Sequence, residues 1–269
     1  MDSDIGALLR EGEKLSAAGK INIIDSGAGL SWGTDAWLLA SFVRPAARIC
    51  ELGCGTGVIS FLLAAYGKSG FTLAAELRRE SADAASRGVK LNRLDGLVKV
   101  VNRDIRTLKH TDDDIGGRFG AVVANPPYIS HPGTRSSDTV ADDARHENHG
   151  GIDDFCAAAA RLLNYRGSFY CVFRPGRLPD LFAAMRESSI EPKRMMMIYP
   201  DTRSAPTLVL TEGLLGGAPG LEALPPFFIF EVPDGSGRRT MTEKAASVYE
   251  TLSFSDIKKA GGNGNAGDA

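Results

Sequence analysis

Short apolar runs alternate with amphipathic stretches along most of this chain. The runs at 48–52, 71–75, 98–101, 121–124 and 166–173 are four to eight residues long and rich in small or β-branched residues. That is the composition of strands buried on both faces. Between them, 36–43, 58–66, 77–94, 151–163 and 179–188 carry apolar residues at helical spacing. Strand–helix alternation of this kind predicts an α/β domain, a parallel sheet with helices on both faces. The runs at 194–199 and 207–210 have no helix between them and predict a final antiparallel pair. A further strand candidate lies at 227–232, followed over 233–253 by a turn and a short helix. At the other end, 1–20 is polar and predicts a helical lead, amphipathic over 5–15. Residues 21–33 predict a strand or hairpin running into a glycine-rich loop. One domain over 21–253 is therefore expected, with 254–269 a small, polar, disordered tail.

Composition bounds this picture without changing it. A chain of 269 residues, 43% hydrophobic and 24% charged, can bury a sizeable core. Net charge is −2, so any contact with nucleic acid must come from a local patch. One candidate patch is 161–203, which holds eight Lys or Arg against four acids; it reads equally as a phosphate-facing edge or as a solvated helix face. The four cysteines (Cys50, Cys54, Cys156 and Cys171) lack zinc spacing and read as buried reduced thiols of a cytoplasmic protein. There is no apolar signal core and no run long enough for a membrane span. His131, His146 and His149 sit in a long polar loop at 130–150, which reads as a substrate-contacting lid rather than a metal site.

The first chemical signal is the turn Gly53-Cys54-Gly55-Thr56-Gly57 between strand 48–52 and helix 58–66. Glycines permit positive φ and close approach of a ligand to the backbone, and the helix behind them offers free N–H groups. Such a turn is common to many nucleotide-binding folds. Two acids sharpen it. Glu51 precedes the first glycine, and Glu76 ends the next strand, about twenty residues on, where an acid can hold both ribose hydroxyls. Asp104, followed by Ile105, ends the third strand, where it can accept from an adenine amine or simply cap a turn. Thr34 or Asp35 caps the helix at 36–43.

The second signal is Asn125-Pro126-Pro127-Tyr128, directly after the buried strand 121–124. Two prolines fix φ and remove two N–H donors, leaving a rigid platform at a strand's C-terminal end, where ligands bind in open α/β sheets. Its groups suit methylation of a planar nitrogen. An exocyclic amine is a poor nucleophile because its lone pair is delocalised into the ring. The Asn125 oxygen and the Pro126 carbonyl can take both N–H bonds and draw the nitrogen toward tetrahedral geometry, while Tyr128 stacks on the base. A plain turn is the bland alternative.

Together these stretches carry a resemblance. Glu51-Leu52-Gly53-Cys54-Gly55-Thr56-Gly57 resembles the first motif of class I S-adenosylmethionine-dependent methyltransferases, and Asn125-Pro126-Pro127-Tyr128 resembles their amino-methylating signature. The likeness covers 21–252. It implies a seven-stranded Rossmann-like sheet with its last strands antiparallel, and S-adenosyl-L-methionine as cofactor. It further implies that the Gly53 and Gly55 backbone cradles the methionine part, with Gly57, Glu51, Thr34 and Asp35 around it. Glu76 would hold the ribose, Asp104 and Ile105 the adenine ring, and Asn125 to Tyr128 the target amine, with Asn125 also beside the cofactor.

Within that class, the short N-terminus, the stretch 29–42, Ala144-Arg145-His146-Glu147 and the C-terminal strand and helix resemble bacterial tRNA(Val) adenine-N6 methyltransferases. That implies a tRNA partner, an anticodon-loop adenine as target, no metal and no membrane. Gly29-Leu30-Ser31-Trp32 departs from the Gly-Tyr-Arg-Phe type segment of that family. Release-factor glutamine methyltransferases share the signature but generally carry a helical N-terminal domain, and only about fifty residues precede the first motif here. Guanine-N2 methyltransferases of ribosomal RNA, and a non-catalytic RNA binder of the same fold, are the remaining alternatives.

Overall fold

The computed structural model describes residues 8–25, 33–127, 150–232 and 239–254. At its centre is β3 (Ala46–Leu52), flanked by β4 (Ser69–Glu76) and β6 (Phe119–Ala124), with β5 (Val98–Asn102) and β7 (Leu163–Phe173) outside them. These five strands are parallel, as the strand–helix alternation predicts. Beyond β7 lie β9 (Leu208–Leu215) and then β8 (Ile190–Tyr199), and β9 runs antiparallel to both. The seven long strands match the expected count. Two-residue strands, β10 (Glu222–Ala223) and β11 (Phe227–Phe228), add to the outer edge of β8, so the 227–232 candidate is shorter than expected.

Helices cover both faces because the strands alternate. Ile49 of β3 and Val123 of β6 pack toward α1 (Thr34–Phe42), α2 (Val58–Ala65), α3 (Arg79–Leu91) and α6 (Glu243–Thr251). Cys50, Leu52, Val122 and Ala124 point the other way, into a second core with α4 (Ile152–Leu162) and α5 (Leu178–Glu187). All four cysteines are buried free thiols. No described helix is long and apolar enough to cross a membrane.

The N-terminal helix is a correction. Residues 1–7 lie outside the described residues, but 8–13 are turns and extended chain, and β1 (Lys14–Ala18) pairs antiparallel with β2 (Ile21–Asp25). Ala18 pairs with Ile21, so the hairpin turns on Gly19 and Lys20 alone, with Gly19 at φ 57°. A two-residue turn with glycine first fits the twist of a hairpin, and Ile21, Ile23 and Ile24 then bury beneath it.

Helix α1 is held at both ends. At its C-terminus the Lys68 ammonium donates to the carbonyls of Ala40, Ser41 and Val43 at 2.7–2.9 Å. Burial pushes Lys68 down to about 7, against carbonyls that favour its charged form. Toward its N-terminus Trp37 stacks on Tyr249 of α6 (centroids 5.2 Å, planes 12° apart), and its indole N–H donates to the Val248 carbonyl.

Most of the basic surplus at 161–203 is spent internally. Arg161 donates to the carbonyls of Ile105, Arg106 and Leu108, Arg186 pairs with Glu191, Arg194 with buried Glu212, and Arg177 with Asp180. Arg174 follows β7 and Arg203 lies in the turn between β8 and β9. Both are exposed at the same edge of the sheet as Asn125, Arg174 donating to the Thr207 carbonyl, and Arg239 joins them, resting on Phe230.

Candidate active site

The C-terminal ends of β3, β4 and β6 open onto one cavity. Asp35, Glu51, Gly53, Gly55, Glu76, Asp104, Ile105, Asn125, Pro126 and Pro127 all line it. The two sequence signals thus converge in space, although Gly55 and Asn125 are seventy residues apart.

The glycine turn is fixed by the neighbouring strand. The N–H groups of Gly53 and Cys54 both donate to the Ala75 carbonyl at 2.9 Å, and Gly57 N–H donates to the Cys54 carbonyl. Gly53, Gly55 and Gly57 have φ of 71°, 56° and 91°, the left-handed region that glycine occupies without strain. A Cβ on Gly55 would meet nothing within 4 Å, so its open side is free space at the cavity wall. A ligand can therefore come against that backbone.

Glu76 ties this loop to the end of β4. Its two oxygens accept from Gly55 N–H and Arg78 N–H, each at 2.8 Å. A carboxylate oxygen has a second acceptor site, so Glu76, which lines the cavity, keeps acceptor capacity beyond these two amides, with the Arg78 guanidinium 3.7 Å from Oε1. Glu51 is 2% exposed and accepts from the Ser60 N–H at 2.8 Å and from the Ser60 hydroxyl. Burial pushes its carboxyl up to about 8, with Ser60 pulling it back and Glu76 adding to the rise.

Asp104 caps the turn Ile105–Thr107 through Arg106 N–H, as the cap alternative expects. It also binds the Arg106 guanidinium through both oxygens at 2.6–3.0 Å, a partner that its position after a strand does not announce. Arg161 holds the carbonyls of the same turn from α4. Buried Ile105 is thereby presented at the cavity wall.

At the β6 end, the Asn125 side-chain NH₂ donates to Asp35 Oδ2 at 3.1 Å, and Asp35 Oδ1 accepts the Ala36 N–H at 2.9 Å. Tyr128 and the loop histidines lie outside the described residues. Among the described residues, no group of three His, Cys, Asp or Glu is placed to hold a metal ion.

Two expected cofactor residues are not among those lining the cavity. Thr34 is hydrogen-bonded to Tyr249, and Gly57 caps α2 with the Phe61 ring where a side chain would go. Conversely, Ala36, Leu77, Arg78 and Phe155 line the cavity unforeseen. Phe155 had a signal: Gly150-Gly151 followed by Asp154 marks a helix start after β6, and Asp154 does accept the Gly151 N–H at 3.0 Å. A helix that begins at this edge of the sheet turns its first residues toward the site.

The chain also has counterparts among known proteins. The model of the methyltransferase small domain family matches residues 22–178. The chain belongs to that family. It is a class I S-adenosyl-L-methionine-dependent methyltransferase. Curated relatives include tRNA1(Val) (adenine(37)-N6)-methyltransferases from Bacteroides fragilis, 25% identical over 66% of this chain and 74% of the relative, and from Tolumonas auensis, 28% identical over 66% and 73%. Among solved structures, a predicted O-methyltransferase from Agrobacterium tumefaciens superposes with a TM-score of 0.62 at 21% identity, covering 81% of this chain and 96% of that one. TYW2 of M. jannaschii, solved in complex with AdoMet, superposes at 0.51 and 14% identity over 76% and 86%. At those identities the two structures speak to the fold of this methyltransferase.

The methyltransferase cavity suits that cofactor. It offers an open glycine backbone, a carboxylate with acceptor capacity at the end of β4, and apolar walls from Leu77, Ile105 and Phe155.

Proposed function

We propose that this methyltransferase modifies N6 of an adenine in tRNA, in the anticodon loop of a tRNA(Val). The observation that carries the reading is the Asn125 amide, held by its NH₂ end on Asp35 beside the rigid Pro126-Pro127 platform. The names of the relatives, at 25–28% identity, support the adenine and the tRNA. Exposed Arg174, Arg203 and Arg239 along the same edge supply local positive charge that suits a phosphate backbone despite the net charge of −2.

S-adenosyl-L-methionine, when bound, supplies an electrophilic methyl group on a sulfonium. Glu76 would hold it through the ribose hydroxyls, the Gly53–Gly55 backbone through its amino-acid end, and Ile105 with Leu77 against the adenine. The chain's own part in the chemistry is positioning. Asn125 Oδ1 and the Pro126 carbonyl accept the two N–H bonds of the target amine, which fixes the nitrogen and draws its lone pair out of conjugation. Tyr128 would stack on the base. An anticodon-loop base reaches such a pocket at low cost because it is already accessible.

The test is incubation of the purified protein with labelled cofactor and unmodified bulk tRNA, followed by nucleoside analysis. N6-methyladenosine is the expected product. No label in the tRNA, with cofactor binding intact, would overturn the reading. In the same assay Asn125→Ala is expected to lose most turnover, with cofactor affinity within a few fold of wild type.

A further inference from the structure

We infer that Asp35 is a positioning residue whose carboxylate decides which end of the Asn125 amide faces the target amine. The inference deepens the proposed function and rests on it for the identity of that amine.

A side-chain amide is nearly symmetric in shape and opposite in chemistry at its two ends. Turned one way, Asn125 offers an acceptor to an N–H bond; turned the other, it offers a second donor and repels the substrate. The two prolines that follow restrict the backbone but not this side-chain torsion. Asp35 is a neighbour placed to set it. Its Oδ2 receives the Asn125 Nδ2 at 3.1 Å, and its Oδ1 is already committed to the Ala36 N–H at 2.9 Å. A carboxylate only accepts, so it can face the NH₂ end alone, and the carbonyl oxygen is the end turned away from α1.

The carboxylate is itself well placed to impose this. It stands in the first turn of α1, whose residues from Ala36 to Phe42 are all buried. Space around it is tight: a Cβ on Gly33 would come within 2.8 Å of Oδ1. Next to it, Thr34 is hydrogen-bonded to Tyr249 of α6. Asp35 therefore acts on catalysis through Asn125.

Three variants test this. In Asp35→Asn the new side chain keeps its size. Its oxygen is held by the Ala36 N–H, so its NH₂ faces Asn125 and forces that amide to reverse. We expect kcat to fall by about 100-fold, in the range seen when a reacting group is misplaced, with the dissociation constant for S-adenosyl-L-methionine unchanged within twofold. In Asp35→Asn with Asn125→Asp the pair is exchanged. The amide now on α1 would donate to the carboxylate now after β6, whose other oxygen again accepts from the amine, so kcat should rise about tenfold or more above that of Asp35→Asn. Asn125→Asp alone sets two carboxylates together and should be no better than Asp35→Asn. A merely structural role for Asp35 predicts no recovery in the exchanged pair, and a cofactor role predicts weaker cofactor binding; either result overturns the inference.

A second readout needs no substrate. The Asn125 side-chain ¹⁵N signal, identified by its loss in Asn125→Asp, should shift strongly in Asp35→Asn. An unchanged signal rejects the inference, even if wild-type protein methylates no adenine and the proposed function itself fails.

Discussion

Ser60 gives both its backbone N–H and its hydroxyl to the same oxygen of Glu51, a carboxyl that is 2% exposed. The two donors hold Glu51 at the root of the glycine turn. They do not cancel the cost of burial, which pushes the group up to about 8 from 4.5. A carboxyl raised on folding contributes stability that is fully present below its unfolded value and is lost as pH rises through its folded value. The protein should therefore lose stability between pH 4.5 and 8 relative to Glu51→Gln, which carries no titrating group at that position. Thermal melts of the two proteins across that window and about one unit beyond it check this. The difference should move steadily in favour of the variant as pH rises, and a constant difference would reject the raised value.

Glu76 binds two backbone amides and keeps acceptor capacity toward the cavity. Glu76→Ala should weaken S-adenosyl-L-methionine by about 10- to 100-fold, the worth of charge-assisted hydrogen bonds to a ligand, read by calorimetric titration. An unchanged dissociation constant would remove Glu76 from the ribose site.

Gly57 combines φ of 91° with the Phe61 ring 2.6 Å from where a Cβ would stand. Gly57→Ala meets both strain and overlap, and should cost about 2–4 kcal/mol in urea unfolding. Gly55→Ala is the control. Its φ of 56° brings strain, but its Cβ meets open space, so it should cost about 1 kcal/mol while interfering with cofactor binding.

Lys68 carries the last carbonyls of α1 on one ammonium. Lys68→Met keeps the stem and removes the donors, leaving three buried carbonyls without this partner. About 3 kcal/mol should be lost in chemical denaturation, and a loss under about 1 kcal/mol would show that these carbonyls find other partners.

What was legible in the sequence is what is local or periodic. Apolar runs located β3 to β7, and Gly53 to Gly57 and Asn125 to Pro127 declared themselves by residue type next to strand ends. The hairpin of β1 and β2 was misread because the apolar spacing before Leu15 also fits a helix, and the decision lies in pairing with Ile21–Asp25 across Gly19. Asp104 was read by its position, yet its carboxylate is engaged by Arg106, two residues on, a choice no spacing rule makes. Phe155 and the Thr34–Tyr249 contact depend on how distant elements dock, which local pattern does not encode.

The Trp37–Val248 hydrogen bond joins residues 211 apart in the chain. Contacts this distant close late, because a long loop must be fixed before they repay its entropy. The glycine turn and Glu76, by contrast, are assembled within residues 51–78, from neighbours in both sequence and space. During synthesis the glycine turn and Glu76 are thus expected to settle well before α6 emerges to brace α1, the helix that carries Asp35.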